Sequence, residues 1–527
     1  MSTTADQTSA SLQTPSPSAG RRIRDLRPTH SSSPDHLEVV HLTAECWPFA
    51  RTGGLGEAVA GLAAFQAASG VGVAVVMPLY RRIRENVTDL QIVGAPFTVR
   101  IGACNEEVQL FRTSAQLRKP RVFFIGHAAC FDREGIYGEA GLDYPDNARR
   151  FALFSIAAIA ALSRIAPRAN IVHAHDWHSA IALAELRSGG AARPLAPRLA
   201  TVLSVHNGGF QGNFLREALT DFGLADELHH ARAFDAGRLN FLEIGLSHSD
   251  LIVTVSPTHA RELCTREGGF GLHETFAALG NRLVGVANGI DPKLWDPAND
   301  QALPVRYTAA DLAGKSACKA ALQRSCGLDQ TSISPLFAMC TRLAQQKGLD
   351  LILAADLRGQ SDAQFVFVGR GDARYERALA ELAAAAPGRI ALRLDFSDEL
   401  EHRVLAGADA LLMPSFYEPC GLTQMRAQRY GTIPIARRVG GLADSIDDGL
   451  TGFLFGDYTR DAFLASIHLA TERYEDTGRW RAMMRRAMAR DFGWQRAADT
   501  YVALYRREMS VATRTIAPDH IASGAGG

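Results

Sequence analysis

Two cations in one loop have the types and spacing to bind a diphosphate. Arg342 and Lys347 lie in the segment 341–348 (TRLAQQKG), which directly follows an apolar run typical of a buried β-strand. An arginine can bind a phosphate through two parallel hydrogen bonds, and a lysine acts on it as a point charge. Side chains that converge from this loop could therefore neutralise one diphosphate. The alternative is a pair of solvated surface cations, which is common in loops.

A carboxylate in a second loop could share a site with a bound anion. Glu418 lies in the segment 413–424 (MPSFYEPCGLTQ), which again follows an apolar run. A helix is predicted to begin near Gly421, and the free amide groups of its first turn could bind a phosphate beside that carboxylate. The alternative is that Glu418 only caps the helix, because acidic residues are favoured at helix N-termini.

A glycine-rich loop follows the first predicted strand. The segment 51–57 (RTGGLGE) opens a helix, so its backbone amides could cradle a phosphate, or its glycines could serve only a tight turn. It is not a dinucleotide-binding fingerprint, because Val59 stands where the last glycine is required. The segment 309–316 (AADLAGKS) is rejected as a nucleotide loop for a similar reason, since Ala309 replaces its first glycine.

Two histidine-containing segments also follow predicted strands. The segment 173–178 (HAHDWH) could bind a metal, but residues at that spacing on a strand end point to different faces, so lining a polar cleft is favoured. The segment 206–212 (HNGGFQG) contains glycines that allow a ligand to approach closely. A lone histidine is more often a hydrogen-bonded core residue, but the loop position of His206 favours function.

The elements that must position these loops are short apolar strands alternating with helical stretches. Such strands predict parallel sheets covered on both faces, and a second series of alternating strands and helices begins after Trp295. The sequence therefore predicts two doubly wound α/β domains. Ligands of such sheets bind beyond the carboxyl ends of the strands, where all the segments described above are expected. The predicted strands lie in LEVVHLTA, VGVAVVMP, IVHAH, ATVLSVH, DLIVTVS, PLFAMCTRL, AQFVFVGRG, RIALRLDF, DALLMPS and TIPIARR.

Length and composition narrow the class of protein. A chain of 527 residues exceeds the usual size of one hydrophobic core. With 47% hydrophobic and 21% charged residues it is globular, and 56 basic residues balance 56 acidic ones, which argues against nucleic acid or an anionic membrane as a partner. The eight scattered cysteines lack zinc-ligand spacing and suggest reduced thiols. The longest apolar run, residues 151–162, is too short to cross a bilayer and is predicted to be a buried helix.

The motifs in this order resemble the bacterial glycogen synthase and plant starch synthase family. The resemblance runs from about Leu37 to Tyr505, and its most specific parts are RTGGL, HAHDWHSA, HNGGFQGNF, VSPTHARE, NGIDPKLWDP, RLAQQKGLDL and PSFYEPCGLTQMRAQRYGTIPIARRVGGLADS. It implies the GT-B fold, in which two Rossmann-like domains face each other across the active-site cleft. It also implies retaining transfer of glucose from ADP-glucose to the non-reducing end of glycogen or another α-1,4-glucan, without a cofactor or metal.

The same resemblance implies roles for individual residues. Arg342 and Lys347 would neutralise the departing diphosphate, and Glu418 would stabilise positive charge at the anomeric carbon. His206 would line the donor-sugar pocket. Phe396 falls where the family has a tyrosine that stacks on adenine, and residues 420–423 would present backbone amides to glucose and phosphate. The substrate-binding set implied in this way is Arg51, Gly53, Gly54, Asp176, Asn288, Phe396, Cys420, Gly421, Leu422 and Thr423.

Two departures from the family pattern leave alternatives open. Arg51 stands where the family has lysine. Because arginine and lysine are not equivalent, UDP-glucose stays an alternative donor and a small molecule stays an alternative acceptor. Gly208 and Gly209 replace bulkier residues, so that loop is expected to be more mobile. A catalytically silent glucan-binding protein is a third alternative, but it would be expected to lose Arg342, Lys347 and Glu418, which are all present. A pyridoxal-phosphate glucan phosphorylase is the last alternative, and it is similar in architecture only.

The resemblance and the composition together predict five segments. These are a disordered extension (1–36), an acceptor-side domain (37–287), a nucleotide-sugar domain (288–490), a C-terminal helix returning to the first domain (491–512) and a disordered tail (513–527). A cytoplasmic location is expected. The arginines in residues 1–36 keep a plastid transit peptide as the alternative. The sequence makes no prediction of the oligomeric state.

Overall fold

Two sheets of mainly parallel strands, each flanked by helices, organise the chain in the computed structural model. The structure describes residues 36–114, 119–139, 141–187, 199–215, 238–331, 333–359 and 363–516. The predicted disordered extension therefore lies outside the described residues, apart from His36, and so does most of the predicted tail.

The first sheet is built from strands in the N-terminal part of the chain. Its order is β14-β13-β10-β9-β1-β2-β6-β5-β3, with β4 paired to β5. Strands β14 to β6 in this order are parallel, and β3, β4 and β5 form an antiparallel edge. The strands of this part are β1 (Glu38–Leu42), β2 (Gly72–Pro78), β3 (Gln91–Ile92), β4 (Phe97–Ile101), β5 (Cys104–Arg112), β6 (Arg121–Gly126), β7 (Gly138–Glu139), β8 (Leu142–Asp143), β9 (Ile171–His175), β10 (Ala200–Val205), β11 (Asn213–Leu215), β12 (Arg238–Asn240), β13 (Leu251–Thr254) and β14 (Leu283–Gly285).

The second sheet is parallel throughout. Its order is β17-β16-β15-β18-β19-β20, so the chain moves outward from β15 in one direction and then continues from β18 in the other. The strands are β15 (Leu336–Cys340), β16 (Gln364–Val368), β17 (Ile390–Arg393), β18 (Ala410–Met413), β19 (Ile433–Arg437) and β20 (Phe453–Phe455). The prediction of two doubly wound α/β domains is confirmed, and every strand proposed from an apolar run is present.

Helices cover both sheets and connect the parallel strands. The helix at 147–160 is almost entirely buried, as its apolar run predicts. No helix in the described part of the chain combines the length and apolar character needed to span a membrane. The helices are Gly54–Ala68, Arg81–Asn86, Ala128–Phe131, Asn147–Ala160, Leu162–Ile165, Trp177–Arg187, Phe241–Ser247, Pro257–Leu263, His273–Ala278, Ala313–Ser325, Leu349–Ala355, Ala373–Ala385, Asp398–Gly407, Thr423–Arg429, Gly440–Ser445, Arg460–Glu475, Thr477–Met488 and Trp494–Ile516, with 3₁₀ turns at Gly280–Arg282 and Gln345–Lys347.

The last helix packs on the first sheet after the chain leaves the second. Tyr501 and Tyr505 are buried in one apolar cluster with Val39 of β1. Trp494 lies so close to the helix Gly54–Ala68 that a Cβ at Gly61 would come within 2.2 Å of the indole nitrogen. The helix ends at Ile516, so residues 513–516 are helical, whereas the sequence prediction assigns them to a disordered tail.

Candidate active site

Each sheet places two loops at the point where its strand order reverses. In the second sheet the neighbours at this point are β15 and β18, which are followed by the loops carrying Lys347 and Glu418. In the first sheet the neighbours are β1 and β9, which are followed by the loops carrying Arg51 and Asp176. Open α/β sheets bind ligands in the crevice formed at such a reversal. The fold therefore brings the predicted loops to two ligand-binding edges.

Glu418 and Lys347 form a direct ion pair. Lys347 Nζ lies 2.6 Å from Glu418 Oε2, and the Ser415 hydroxyl donates to the same oxygen at 3.1 Å. Glu418 is buried, with 5% of its surface exposed. Leu422, not Glu418, occupies the N-cap of the helix Thr423–Arg429, and no side chain caps that helix. The alternative that Glu418 only caps the helix is therefore wrong.

Two glycines allow the loops around this ion pair to pack closely. Gly348 has φ +78°, and a Cβ there would come within 2.0 Å of the Pro414 carbonyl oxygen. Gly440 has φ +42°, and a Cβ there would come within 1.9 Å of the Glu418 carbonyl oxygen. Any larger residue would push these backbones apart, so the glycines hold both charged loops against the end of β18.

Arg342 is exposed beside the same loops. It makes no hydrogen bond or ion pair within the described ranges of the chain, so its guanidinium is available to a ligand. Burial raises the pKa of Tyr417, while a hydrogen bond with Asn207 and the positive charge of Arg342 oppose that rise. Arg342 is therefore electrostatically close to the residue that precedes Glu418.

The glycine-rich loop is held by a carboxylate that the sequence analysis missed. Glu45 is buried and accepts hydrogen bonds from Thr52 N at 2.6 Å, from Thr52 Oγ1 at 2.8 Å and from the Tyr137 hydroxyl at 2.5 Å. A Cβ at Gly53 or Gly54 would meet no atom within 4 Å. Neither glycine is needed for internal packing, and the space above them is open to a ligand. The polar position of Glu45 just after β1 is the signal that could have identified it.

Arg51 spans the cleft. Its guanidinium donates to Glu57 Oε1 at 2.8 Å and also pairs with Asp398, which begins a helix of the second domain. Glu57 in turn pairs with Arg426 of the second domain, which also binds Glu401 at 2.9 Å. The two domains are thus joined by a chain of alternating charges. Asp398 was not predicted, because it lies 347 positions from Arg51 in sequence.

Asp176 positions the loop that carries His206. It has φ +55°, and its Oδ1 accepts a hydrogen bond from His206 N at 2.7 Å. Burial raises the pKa of Asp176 to about 7, although hydrogen bonds from the backbone amides of His206 and Asn207 oppose that rise. The carboxylate fixes the backbone of this loop, and its charge state changes close to neutral pH.

Behind His206 lies a buried cluster of histidines. His206 Nε2 is 3.0 Å from His175 Nδ1, and His175 Nε2 is 3.0 Å from His41 Nδ1. Desolvation lowers the pKa of His206 to about 3 and that of His41 to about 4. Desolvation also lowers the pKa of His173 and of His175 well below the usual value. All four imidazoles are therefore neutral at pH 7.

The ring nitrogens of His41, His173 and His175 lie within 4.8 Å of one another, so this trio has the spacing for a metal. The predicted third member, His178, instead stacks on Tyr137 and packs at a tilt against Trp177. Every ring nitrogen of the trio already has a partner, including Tyr505 and Ser204 for His173 at 2.7 Å each. A metal would have to break those bonds, and the trio is better described as a hydrogen-bonded core.

The loop after β10 packs directly against the second domain. A Cβ at Gly209 would come within 3.0 Å of the Tyr417 hydroxyl, and one at Gly208 would come within 2.7 Å of Leu263. The ring of Phe270 meets that of Tyr417 edge-on at 4.9 Å. Gly209 therefore makes room for a contact between the domains, and Gly208 makes room for packing within the first domain. This packing gives them a steric role, whereas the sequence analysis connected them with mobility.

The remaining predicted residues border the same region. The backbone amide of Asn288 donates to the sulfur of Cys420, whose thiol pKa burial raises to about 12. Gly421 has φ +68°, and Leu422 and Thr423 are half-buried. Phe396 is 47% exposed and makes no ring contact within the described residues. Its face is therefore open to a planar ligand.

Comparison with known proteins identifies the family. Residues 38–278 match the starch synthase catalytic domain family, and residues 330–486 match glycosyl transferases group 1. The glycogen synthase of Anaeromyxobacter sp. (strain Fw109-5) is 42% identical over 486 residues, which are 89% of this chain and 99% of that protein. Glycogen synthase 2 of Geobacter sulfurreducens is 39% identical over 478 residues, covering 89% of this chain and 98% of that protein. The chain belongs to the glycogen and starch synthase family.

Solved structures agree with this family. The catalytic domain of Starch Synthase IV from Arabidopsis thaliana, bound to ADP and acarbose, has a TM-score of 0.82 and 32% identity and covers 90% of this chain and 100% of that one. The sucrose-phosphate synthase of Thermosynechococcus elongatus, with a TM-score of 0.59 and 17% identity over 90% of this chain and 100% of that one, shares the fold. The predicted GT-B fold is confirmed.

Membership of the glycogen and starch synthase family makes the protein a glycosyltransferase with a nucleotide-sugar donor and a glucan acceptor. The silent glucan-binding protein and the phosphorylase are thereby set aside. Within this enzyme the structure joins Lys347 to Glu418 and His206 to Asp176 directly. Contacts through Asn207 and Tyr417 connect the two pairs across the cleft.

Proposed function

We propose that this synthase transfers glucose from ADP-glucose to the non-reducing end of an α-1,4-glucan with retention of the anomeric configuration. The observation that carries the proposal is the buried Glu418–Lys347 pair at the strand reversal of the second sheet, with the exposed Arg342 beside it. The related starch synthase was solved with ADP and acarbose, a nucleoside diphosphate and a glucan-like sugar, and this supports the assignment of both substrates.

The transfer needs charge compensation at two places. The leaving diphosphate gains negative charge, and Arg342 and Lys347 would meet it. The anomeric carbon gains positive charge in an oxocarbenium-like transition state, and the Glu418 carboxylate would stabilise it. Because the lysine and the carboxylate are already paired, each holds the other in place before the donor arrives, so little reorganisation is needed during the reaction.

The other residues would hold the donor. The open space above Gly53 and Gly54 and the uncapped helix they begin suit a phosphate group, with Arg51 at the rim. The backbone of residues 420–423 would bind glucose and phosphate, and the exposed ring of Phe396 would stack on adenine. His206, Asp176 and Asn288 would border the sugar from the first domain. We assign no metal and no cofactor to this chemistry.

We further propose the domain assignment and the location. Residues 37–287 would form the acceptor side and residues 288–490 the nucleotide-sugar side, with 491–512 returning to the first domain. The packing of the helix Trp494–Ile516 on the first sheet supports this division. The eight cysteines are all free, and the curated relatives are bacterial glycogen synthases, which supports a cytoplasmic location.

The test is a donor panel combined with one substitution. Nucleoside diphosphate release is measured with ADP-glucose and with UDP-glucose, each with and without glycogen. Glycogen-dependent release that favours ADP-glucose is expected. Release from UDP-glucose alone would overturn the donor assignment, and release that ignores glycogen would overturn the acceptor.

Glu418→Gln should lower kcat by about 100-fold to 1,000-fold, because the variant loses the charge facing the anomeric carbon. Glu401→Gln is the matched control, since Glu401 is also a buried carboxylate paired with a cation of the same domain. It should keep kcat within a few-fold of the wild type. Equal activity of the two variants would remove Glu418 from the mechanism.

A further inference from the structure

A continuous hydrogen-bonded chain runs from the interior of the first domain to His206. Gln66 Oε1 lies 2.9 Å from His41 Nε2, His41 Nδ1 lies 3.0 Å from His175 Nε2, and His175 Nδ1 lies 3.0 Å from His206 Nε2. Gln66, His41 and His175 are fully buried, and His206 is half-buried. The chain thus connects an amide in the helix Gly54–Ala68 with a side chain at the cleft.

The direction of every bond in this chain is set at its buried end. A carboxamide oxygen can only accept, so His41 must carry its proton on Nε2. A neutral imidazole has one N–H, so His41 Nδ1 accepts from His175 Nε2. By the same rule His175 Nδ1 accepts from His206 Nε2. His206 then bears its proton on Nε2, and its Nδ1 presents a lone pair.

The proton positions assigned above require that each histidine of the chain is neutral. Desolvation lowers the pKa of His41 to about 4 and of His206 to about 3, and lowers that of His175 well below its usual value. The chain is free of carboxylates, so none of its members gains a compensating negative partner. A second proton on His41 or His175 would break a bond in the chain, because both ring nitrogens of each are used in it.

The nitrogen end of the Gln66 amide contacts the hydroxyl of Tyr505. Gln66 Nε2 lies 3.3 Å from the Tyr505 hydroxyl, which in turn lies 2.7 Å from His173 Nδ1. Rotation of the amide by half a turn would exchange its donor and acceptor. That rotation would reverse every bond of the chain and move the proton of His206 to Nδ1. One buried amide therefore selects between two tautomers of a residue at the cleft.

We propose that Gln66 is a positioning residue that acts through His41 and His175 to hold His206 as the Nε2–H tautomer. Nδ1 of His206, which has no hydrogen-bond partner among the described residues, then accepts a hydrogen bond from a hydroxyl group of the donor sugar. The tautomer assignment stands on the structure alone. Its consequence for transfer rests on the proposed place of His206 in the donor-sugar pocket.

The tautomer is tested by ¹⁵N NMR of the full-length protein labelled at histidine, with the His206 signals assigned from the spectrum of His206→Gln. The expected result is a protonated Nε2 and an unprotonated Nδ1 in His206 of the wild type without donor. A proton on Nδ1, or on both nitrogens, would overturn the proposal. This measurement needs no variant of Gln66 to fold and no enzymatic activity.

The consequence for transfer is tested with three variants. Gln66→Met removes the acceptor and should mix the two His206 tautomers and lower kcat by about tenfold, without a change in KM for glycogen. Gln66→Glu in its ionised form restores a group toward His41 that can only accept, and should recover most of kcat. Tyr501→Phe is the matched control, because it removes a buried hydroxyl that contacts Ser204 outside the chain, and it should keep the wild-type kcat.

The outcomes separate the two parts of the inference. An unchanged His206 spectrum in Gln66→Met would show that Gln66 does not set the tautomer. A changed spectrum with an unchanged kcat would keep the tautomer chain but would remove His206 from the proposed donor-sugar contact. Failure of Gln66→Glu to recover kcat would show that the loss in Gln66→Met comes from packing.

Discussion

Mild acid should unfold the first domain of this synthase while leaving the second intact. Six buried or half-buried histidines have a pKa that desolvation lowers from 6.5, and all of them lie in the part of the chain that forms the first sheet and its helices. These histidines are His41, His173, His175, His178, His206 and His259. The folded state keeps them neutral, whereas the unfolded chain binds protons on them below about pH 6.5.

The size of the effect follows from linkage. Because the folded pKa is the lower one, the stability is fully present above about pH 6.5 and is lost as the pH falls toward the folded values. Between pH 7 and pH 5 each unfolded histidine gains about 2 kcal/mol of proton binding, and six gain about 11 kcal/mol. Asp176 offsets about 2 kcal/mol, since its folded pKa of about 7 lies above the unfolded value. The net loss is about 9 kcal/mol, comparable with the whole stability of a typical domain.

Hydrogen–deuterium exchange at pH 7 and pH 5, corrected for the intrinsic exchange rate, measures this domain by domain. Amides of β9 and β10 should lose most of their protection at pH 5, and amides of β15 and β16 should keep theirs. His178→Phe retains an aromatic ring against Trp177 and Tyr137 and should reduce the acid-induced loss of stability by about 2 kcal/mol. Equal protection of the two sheets at pH 5 would refute the assignment of neutral, buried histidines.

Three further predictions concern the cleft. Asp398→Asn frees the guanidinium of Arg51 from one carboxylate. It should lower KM for the donor by up to about fivefold, which corresponds to the free energy of an exposed ion pair. An increased KM in donor saturation curves would contradict this. The ionised carboxylate of Asp176 accepts hydrogen bonds from the backbone amides of the His206 loop, so kcat/KM should rise with pH through about 7. A pH–rate profile of Asp176→Asn that keeps this inflection would argue against that role. Gly209→Val places atoms against the Tyr417 hydroxyl and should lower kcat by about 100-fold, and Gly209→Ala should cause a smaller loss. Wild-type turnover in both variants would show that this contact is dispensable.

The fold could be predicted where its elements are fully apolar. Strands such as β1, β9 and β15 are buried on both faces, and this produces the continuous apolar runs by which they were found. The antiparallel edge was missed. Strands β4 and β5 alternate between buried and exposed residues and belong to no parallel unit, so their pattern is weak over a short window.

The site could be predicted where it depends on strand ends and not where it depends on contacts across the cleft. The loops of Lys347 and Glu418 follow β15 and β18, and the strand-end rule places them together. Asp398, the partner of Arg51, lies in the other domain, and a local sequence pattern cannot predict a contact between residues so far apart in the chain. His41 was missed for a related reason, because it lies inside β1 and joins the cluster only through the pairing of β1 with β9.

The two halves of the site differ in what holds them. His206 is supported by residues that all belong to the first domain or to the returning helix, since Tyr505 is fully buried and its hydroxyl bonds both Gln66 and His173. The chain passes between the domains at two adjacent segments, joined by a hydrogen bond from Ile290 N to Phe492 O at 2.8 Å. A rotation of the domains about these segments would leave the histidine chain intact and would break the contacts of Arg51 with the second domain. We therefore expect the tautomer of His206 to be fixed before the donor binds, while the Glu418–Lys347 pair is brought to it by domain closure.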